Sequence, residues 1–207
     1  MTGQRLMRIG SGFGVAACCA CLAGCFGPSG GKASLSVESR SQQTILTPAF
    51  KTAVFTSNDL NSVDIFLSDL PPESFDPAGS SVAPAGGREG VIIHMNFFLY
   101  PRAGRTPVAF TATNMTFSMV VLTGDSHGVY GGGGFFLPSG KPTGKTFGGR
   151  TNLATLRHLG STAGFVDRVG LGEMSGSITA RRDEELADRM ATLMTGLVRI
   201  QTASSER

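Results

Sequence analysis

Residues 114–123, Asn114-Met115-Thr116-Phe117-Ser118-Met119-Val120-Val121-Leu122-Thr123, decide the fold class. Met115, Phe117, Met119 and Val121 fall on one side of an extended chain, and Asn114, Thr116 and Ser118 on the other. Period-two alternation over this length is the pattern of a half-buried strand in an antiparallel sheet, and the strand-like run begins as early as Val108. Upstream, Val91–Tyr100 is an almost unbroken apolar run. It places Ile93, Met95, Phe97 and Leu99 on one face and Ile92, His94, Asn96, Phe98 and Tyr100 on the other. The turn residues Pro101-Arg102-Ala103-Gly104 lie between the two runs, so together they predict a hairpin.

Outward from this hairpin the pattern repeats. Phe50–Thr56 and Ser62–Ser68 are short runs of β-forming residues separated by Ser57-Asn58-Asp59. Pro71–Gly90, rich in Pro and Gly, is expected to be a long surface loop. Gly124–Gly149 contains ten glycines in 26 residues and is expected to form tight turns around one short strand at Phe135-Phe136-Leu137. Asn152–Leu159 and Gly164–Val169 are ambiguous, and Ser175–Ala180 is a further strand. The last segment changes period. Leu186, Met190, Leu193, Met194, Leu197 and Ile200 follow the acidic Asp183-Glu184-Glu185, which predicts an amphipathic helix over 183–199 capped by Asp183. Several strands and one helix, without βα alternation, predict a mainly β fold. The expected form is an antiparallel β-sandwich or open barrel with one C-terminal helix, occupying residues 45–207 as a single domain.

The N-terminus is of a different kind. Arg5 and Arg8 precede a short apolar, small-residue stretch from Ile9 to Gly24, which is the layout of a secretory signal peptide. It ends in Leu22-Ala23-Gly24-Cys25. These four residues resemble the lipobox of bacterial lipoproteins, in which a diacylglyceryl group is attached to the Cys and signal peptidase II cuts before it. The resemblance implies that residues 1–24 are removed and that Cys25 carries the lipid. It also implies that the protein is held by the membrane through that residue. Phe26 rather than Asp follows, which by the same resemblance points to the periplasmic face of the outer membrane ahead of the inner membrane. Residues 26–44, rich in Gly, Ser and Gln, read as a flexible tether with a reach of roughly 25 Å.

Removing the signal changes the composition. The net charge of +3 falls to about +1, and no basic run remains, so a nucleic-acid partner is excluded. Cys18, Cys19 and Cys21 leave with the signal, so neither a disulfide nor a thiolate metal site is expected, and no cofactor is implied.

Three motifs resemble catalytic signatures. Gly124-Asp125-Ser126-His127-Gly128 matches G-x-S-x-G, but glycines follow where a helix is needed and no His follows the next acid, Asp167. It reads as a polar hairpin turn. Ser139–Thr146 resembles a phosphate-binding loop, but Ser139 stands where Gly is required and Gly148-Gly149 would interrupt the helix. His94, His127 and His158 lack the paired spacing of a zinc site. His94 and Asn96 form a polar pair on one strand face, and Arg102, Arg105, Arg181 and Arg182 are two candidate pairs for an acidic ligand. The expected function is a lipid-anchored envelope protein that binds or scaffolds another envelope component. One alternative is a carrier or sensor of a small apolar ligand in a Met- and Phe-lined interior cavity. A further alternative is an enzyme of unrecognised type centred on His94 and Asn96.

Overall fold

A computed structural model describes residues 31–57, 59–76, 87–97 and 113–205, with side chains to residue 199. The strands are β1 (Lys32–Ser39), β2 (Ile45–Leu46), β3 (Thr52–Thr56), β4 (Val63–Ser68) and β5 (Arg88–Phe97), followed by β6 (Met115–Gly124), β7 (Ser126–Gly134), β8 (Phe136–Gly140), β9 (Thr146–Ser161) and β10 (Leu171–Arg182). A 3₁₀ turn spans Pro72–Phe75, and one helix, α1, spans Glu184–Ser205. The protein is therefore mainly β with a single C-terminal helix.

The strands β3-β4-β5-β6-β7-β9-β10 are paired in that order. β10 then pairs with β3, which closes the ring. Along one edge β10 pairs with β9. Along the other it pairs with β1 over Gly172–Thr179 and, at Arg181 and Arg182 alone, with β3. That last contact is parallel and makes the sheet mixed, a departure from the wholly antiparallel expectation. A closed ring of seven strands cannot alternate direction throughout, so one neighbouring pair must run parallel; β1, which occupies most of the β10 edge, keeps that contact short. The starts of β1, β4, β6 and β9 and the ends of β3, β5, β7 and β10 lie at one end of the barrel, here the lower end. The opposite end is the upper one.

The inner face is filled by buried side chains from all strands but β2, whose half-buried Leu46 packs against them, as expected for a barrel of this size. Phe97 lies 4.3 Å from Phe136 and 6.2 Å from Phe147, and Phe147 lies 5.8 Å from Phe55, ring centroid to ring centroid. Ile93, Met95, Phe97, Met115, Phe117 and Met119 point inward, as the alternation predicts. Ile92, Val120 and Leu122 point outward, onto a second core beneath α1 formed with Leu186, Met190, Met194 and Leu197. Because the helix covers this outer face, β5 is apolar on both sides. Asp183 caps α1, its Oδ1 accepting from the Leu186 N–H at 3.0 Å. The helix continues to Ser205, beyond the expected end at 199, because neither Gly nor Pro stops it after Gly196.

Four expectations are corrected. The described part of the tether holds β1, in which Leu35 and Val37 are buried while Ser34 and Glu38 face out. The folded domain thus extends upstream of residue 45, to residue 31 at least. The glycines of 124–149 lie mostly within β7, β8 and β9 rather than in turns. A Cβ on Gly132 would stand 1.9 Å from the Thr155 carbonyl oxygen, and one on Gly148 would stand 2.1 Å from that of Ile178, so these strands approach too closely for side chains. Within the expected 71–90 loop, Phe75 is buried against α1 and Arg88–Gly90 belong to β5; residues 77–86 lie outside the described residues. Asn114 does not point out with Thr116 and Ser118. It is buried, donating to the Phe136 carbonyl at 2.9 Å and accepting from the Phe136 N–H at 2.8 Å.

Candidate functional site

The upper end of the barrel opens into a cleft of about 520 Å³. Its walls include Leu46, Val121, Tyr130, Phe165, Val166 and Val169, with Glu89, Ser126 and Arg168 at polar positions. Clefts of this size at barrel mouths commonly hold ligands or partner side chains.

The cleft is lined by β2, β5, β6 and β7 together with the β9–β10 loop, and the loop is held in place by bonds to β7. Thr162 fastens the start of that loop: its N–H donates to the His127 carbonyl at 2.9 Å, and its hydroxyl accepts from the His127 N–H at 2.9 Å. Asp167 fastens the other side. Its Oδ1 accepts from the Tyr130 hydroxyl at 2.6 Å, from the Val169 N–H at 3.0 Å and from the Gly170 N–H at 2.8 Å. The Gln42 amide donates to the Asp167 carbonyl at 3.0 Å, tying in the β1–β2 turn. Phe165 lies directly over Gly128, where a Cβ would stand 2.2 Å from the ring. The His158 ring stacks with Phe165 at 6.2 Å and 12°, and Tyr130 meets His158 at 5.2 Å.

The electrostatics of this cluster favour fixed protonation states. Burial, followed by the hydrogen bond to Asp167, pushes the Tyr130 hydroxyl well above its ordinary value. Burial alone would raise Asp167, but the Tyr130 hydroxyl and the two backbone N–H groups outweigh it and hold the carboxyl below its usual range. At neutral pH Tyr130 is a neutral donor and Asp167 a carboxylate. The pair therefore positions the loop and does not exchange protons.

His94 and Asn96 lie elsewhere, on the outer face. The structure brings them together with Asp64 of β4, which the sequence reading missed. Asp64 Oδ1 is 2.7 Å from His94 Nε2 and accepts from the Asn96 amide at 2.9 Å. The His94 ring stacks on Phe66 at 4.4 Å and 4°. Burial would raise Asp64, but the bonds from His94 and Asn96 hold it below the usual carboxylate range. A shallow groove of about 280 Å³ runs from His94 past Ser118 to Thr195 and Arg199 of α1. Ser118 stands directly across from His94 in the β5–β6 register.

The other candidates are dispersed. Ser126 bonds back to Thr123 across the two-residue turn Gly124-Asp125, while His127 points to the opposite face and its Nε2 lies 3.0 Å from the Leu197 carbonyl oxygen. The Ser139–Thr146 segment forms the β8–β9 hairpin. Its Pro142 and Gly144 carbonyls accept from Arg182, the reverse of a cradle of N–H donors. Arg182 also bonds Ser57 and Glu184 and lies over the Phe55 ring, and Arg181 pairs with Asp183 at 2.7 Å. Both arginines of that pair are thus engaged within the fold. Leu22, Ala23, Gly24, Cys25, Arg102 and Arg105 lie outside the described residues. Among the described residues no three His, Cys, Asp or Glu side chains are grouped to hold a metal, and no helix is long and apolar enough to cross a membrane. Comparison with protein-family models, with curated proteins and with solved structures finds no match to this chain.

Proposed function

We propose that the protein is a lipid-anchored component of the bacterial cell envelope, held through Cys25, whose barrel binds another envelope component at its upper-end cleft. The periplasmic face of the outer membrane is the proposed location. The lipobox Leu22-Ala23-Gly24-Cys25 supports the anchoring. The observation that carries the binding role is the position of the cleft. Gly31, five residues beyond the stretch that ends at Cys25-Phe26, lies at the lower end of the barrel, whereas the cleft opens at the upper end. An anchored barrel would therefore present the cleft away from its point of attachment. Val166, 67% exposed, belongs to the same wall as Leu46, Val121, Phe165 and Val169, so the apolar lining of the cleft continues to the surface.

A second reading, a small apolar ligand, is favoured by the cleft volume. Its site would be the mouth and not the interior, because the Phe55, Phe97, Phe136 and Phe147 rings already meet inside the barrel. A photo-crosslinking residue at position 166 in intact cells separates these readings. A protein adduct at 166 that is absent at Leu137, a lower-end position that is also well exposed, supports the partner role. A small-molecule mass increment at 166 supports the ligand role. No adduct at 166, or the same adducts at both positions, contradicts a specific upper-end site.

A further inference from the structure

The start of β1 limits how far the barrel can stand from a lipidated Cys25. Gly31 is wedged into the barrel closure, where a Cβ would lie 2.4 Å from the Ala53 carbonyl oxygen and 2.5 Å from that of Thr179. Only residues 26–30 intervene between it and Cys25. Six Cα-to-Cα steps of at most about 3.6 Å span no more than about 22 Å. The lower rim of the barrel is thus kept within a short distance of whatever holds Cys25.

The charges on that rim are uneven. Lys32 at the start of β1, and Lys141 and Lys145 in the β8–β9 turn, are exposed. None has an ion-pair partner among the described residues, whereas the neighbouring Arg181 and Arg182 are neutralised by Asp183 and Glu184. Asp59 lines a shallow depression with Thr143 and Arg182 at this end and offsets one of the three lysine charges; its Oδ1 accepts from the Asn61 and Ser62 N–H groups. At the upper end free charges of both signs mix, Glu89 and Asp125 with Lys51 and Arg168.

We propose that Lys32, Lys141 and Lys145 rest on the anionic phospholipid headgroups of the leaflet that holds the anchor, fixing the barrel upright with its cleft facing away. This inference rests on the lipidation of Cys25. The link lets the lysines come within a Debye length of the headgroups, where basic side chains are attracted to an anionic leaflet. The short link brings the rim to the surface, and the lysines select its orientation.

The test uses the full chain, expressed in bacteria, purified from membranes and reconstituted into vesicles of 70% neutral and 30% anionic phospholipid bearing nitroxide headgroups. A fluorophore is placed at Thr143→Cys on the lower rim or at Asp125→Cys at the upper end. These positions stand roughly 25 Å apart, from ten β6 residues at about 3.4 Å each and the usual strand tilt. The Thr143 fluorophore is expected to be quenched at least about threefold more strongly than the Asp125 one. Replacing Lys32, Lys141 and Lys145 together by Gln, or raising salt from 0.1 to 1 M, which cuts the Debye length from about 10 to about 3 Å, should abolish most of that difference. Equal quenching at both positions, or a difference that neither change reduces, overturns the proposal while leaving the anchor intact. A mass spectrum of the same sample without lipid on Cys25 overturns the anchoring reading and this inference with it.

Discussion

Gly132→Ala should destabilise the barrel severely, although a glycine in a strand is ordinarily replaced by alanine with a small gain. The added Cβ would lie 1.9 Å from the Thr155 carbonyl oxygen and 2.9 Å from Leu156 Cα, both backbone atoms of β9. An ordinary carbon–oxygen contact needs more than 3 Å, so β9 would have to retreat by over 1 Å from a strand spacing of about 4.8 Å. Overpacking of this kind costs about 1–3 kcal/mol, and stretching the two flanking ladder hydrogen bonds costs about 1 kcal/mol each. The sum is roughly 4 kcal/mol, a large part of the stability of a typical domain. At about 2–4 °C per kcal/mol, the melting temperature should fall by roughly 8–16 °C. Gly196→Ala is the matched control. It sits in α1 with nothing within 4 Å of the new Cβ, so it should stabilise by about 1 kcal/mol through helix propensity. Urea unfolding of both variants, followed by far-ultraviolet circular dichroism, reads the two signs. A Gly132→Ala midpoint at or above that of the wild type would refute the close approach of β7 and β9.

Tyr130→Phe removes a buried donor to Asp167 and should cost about 1–2 kcal/mol, with faster amide hydrogen exchange at Val169 and Gly170; unchanged exchange there would mean that Asp167 does not tie the loop to β7. Asp64 and Asp167 both have carboxyls held below their ordinary 3.8 in the folded state. Their contribution to stability is therefore complete above about pH 4 and is lost as pH falls through the folded values. The double variant Asp64→Asn, Asp167→Asn should flatten the decline in melting temperature below about pH 4, and an unaltered decline would place the acid sensitivity elsewhere.

The parts of this fold that are legible in the sequence are those where burial alone sets the pattern. Met115, Phe117 and Met119 face a filled interior, and the alternation of β6 follows directly. The stripe of α1 is legible for the same reason, since Leu186, Met190, Met194 and Leu197 all meet one sheet face. β1 carries a signal that its Ser-rich composition hides: Leu35 and Val37 alternate with polar residues and are buried, so the segment has one apolar face despite resembling a linker. The glycine runs mislead because glycine marks two different demands. At Gly124, with φ of +71°, it turns the β6–β7 hairpin; at Gly132 and Gly148 it lets strands approach within reach of backbone atoms.

The candidate sites depend on register and loop path, which no local pattern encodes. His94 and Asn96 are two apart and visibly share a face, but Asp64 joins them only because it is paired with Asn96 across β4 and β5. Tyr130 and Asp167 are 37 residues apart, and only the course of the β9–β10 loop brings them together. A sequence signal does exist for Asp64, a lone carboxylate between Val63 and Ile65 in an otherwise apolar strand. An acid at such a position calls for a polar neighbour on the same face.

The central claim is that Cys25 carries the lipid that holds this barrel in the envelope. Intact-mass and N-terminal peptide mass spectrometry of the protein purified from bacterial membranes tests it most directly. The prediction is a chain beginning at residue 25 with a diacylglyceryl group on the Cys25 sulfur, and a Cys25→Ala variant that keeps residues 1–24 and gains no lipid. A mature chain that begins elsewhere, or an unmodified Cys25 thiol, would contradict the claim.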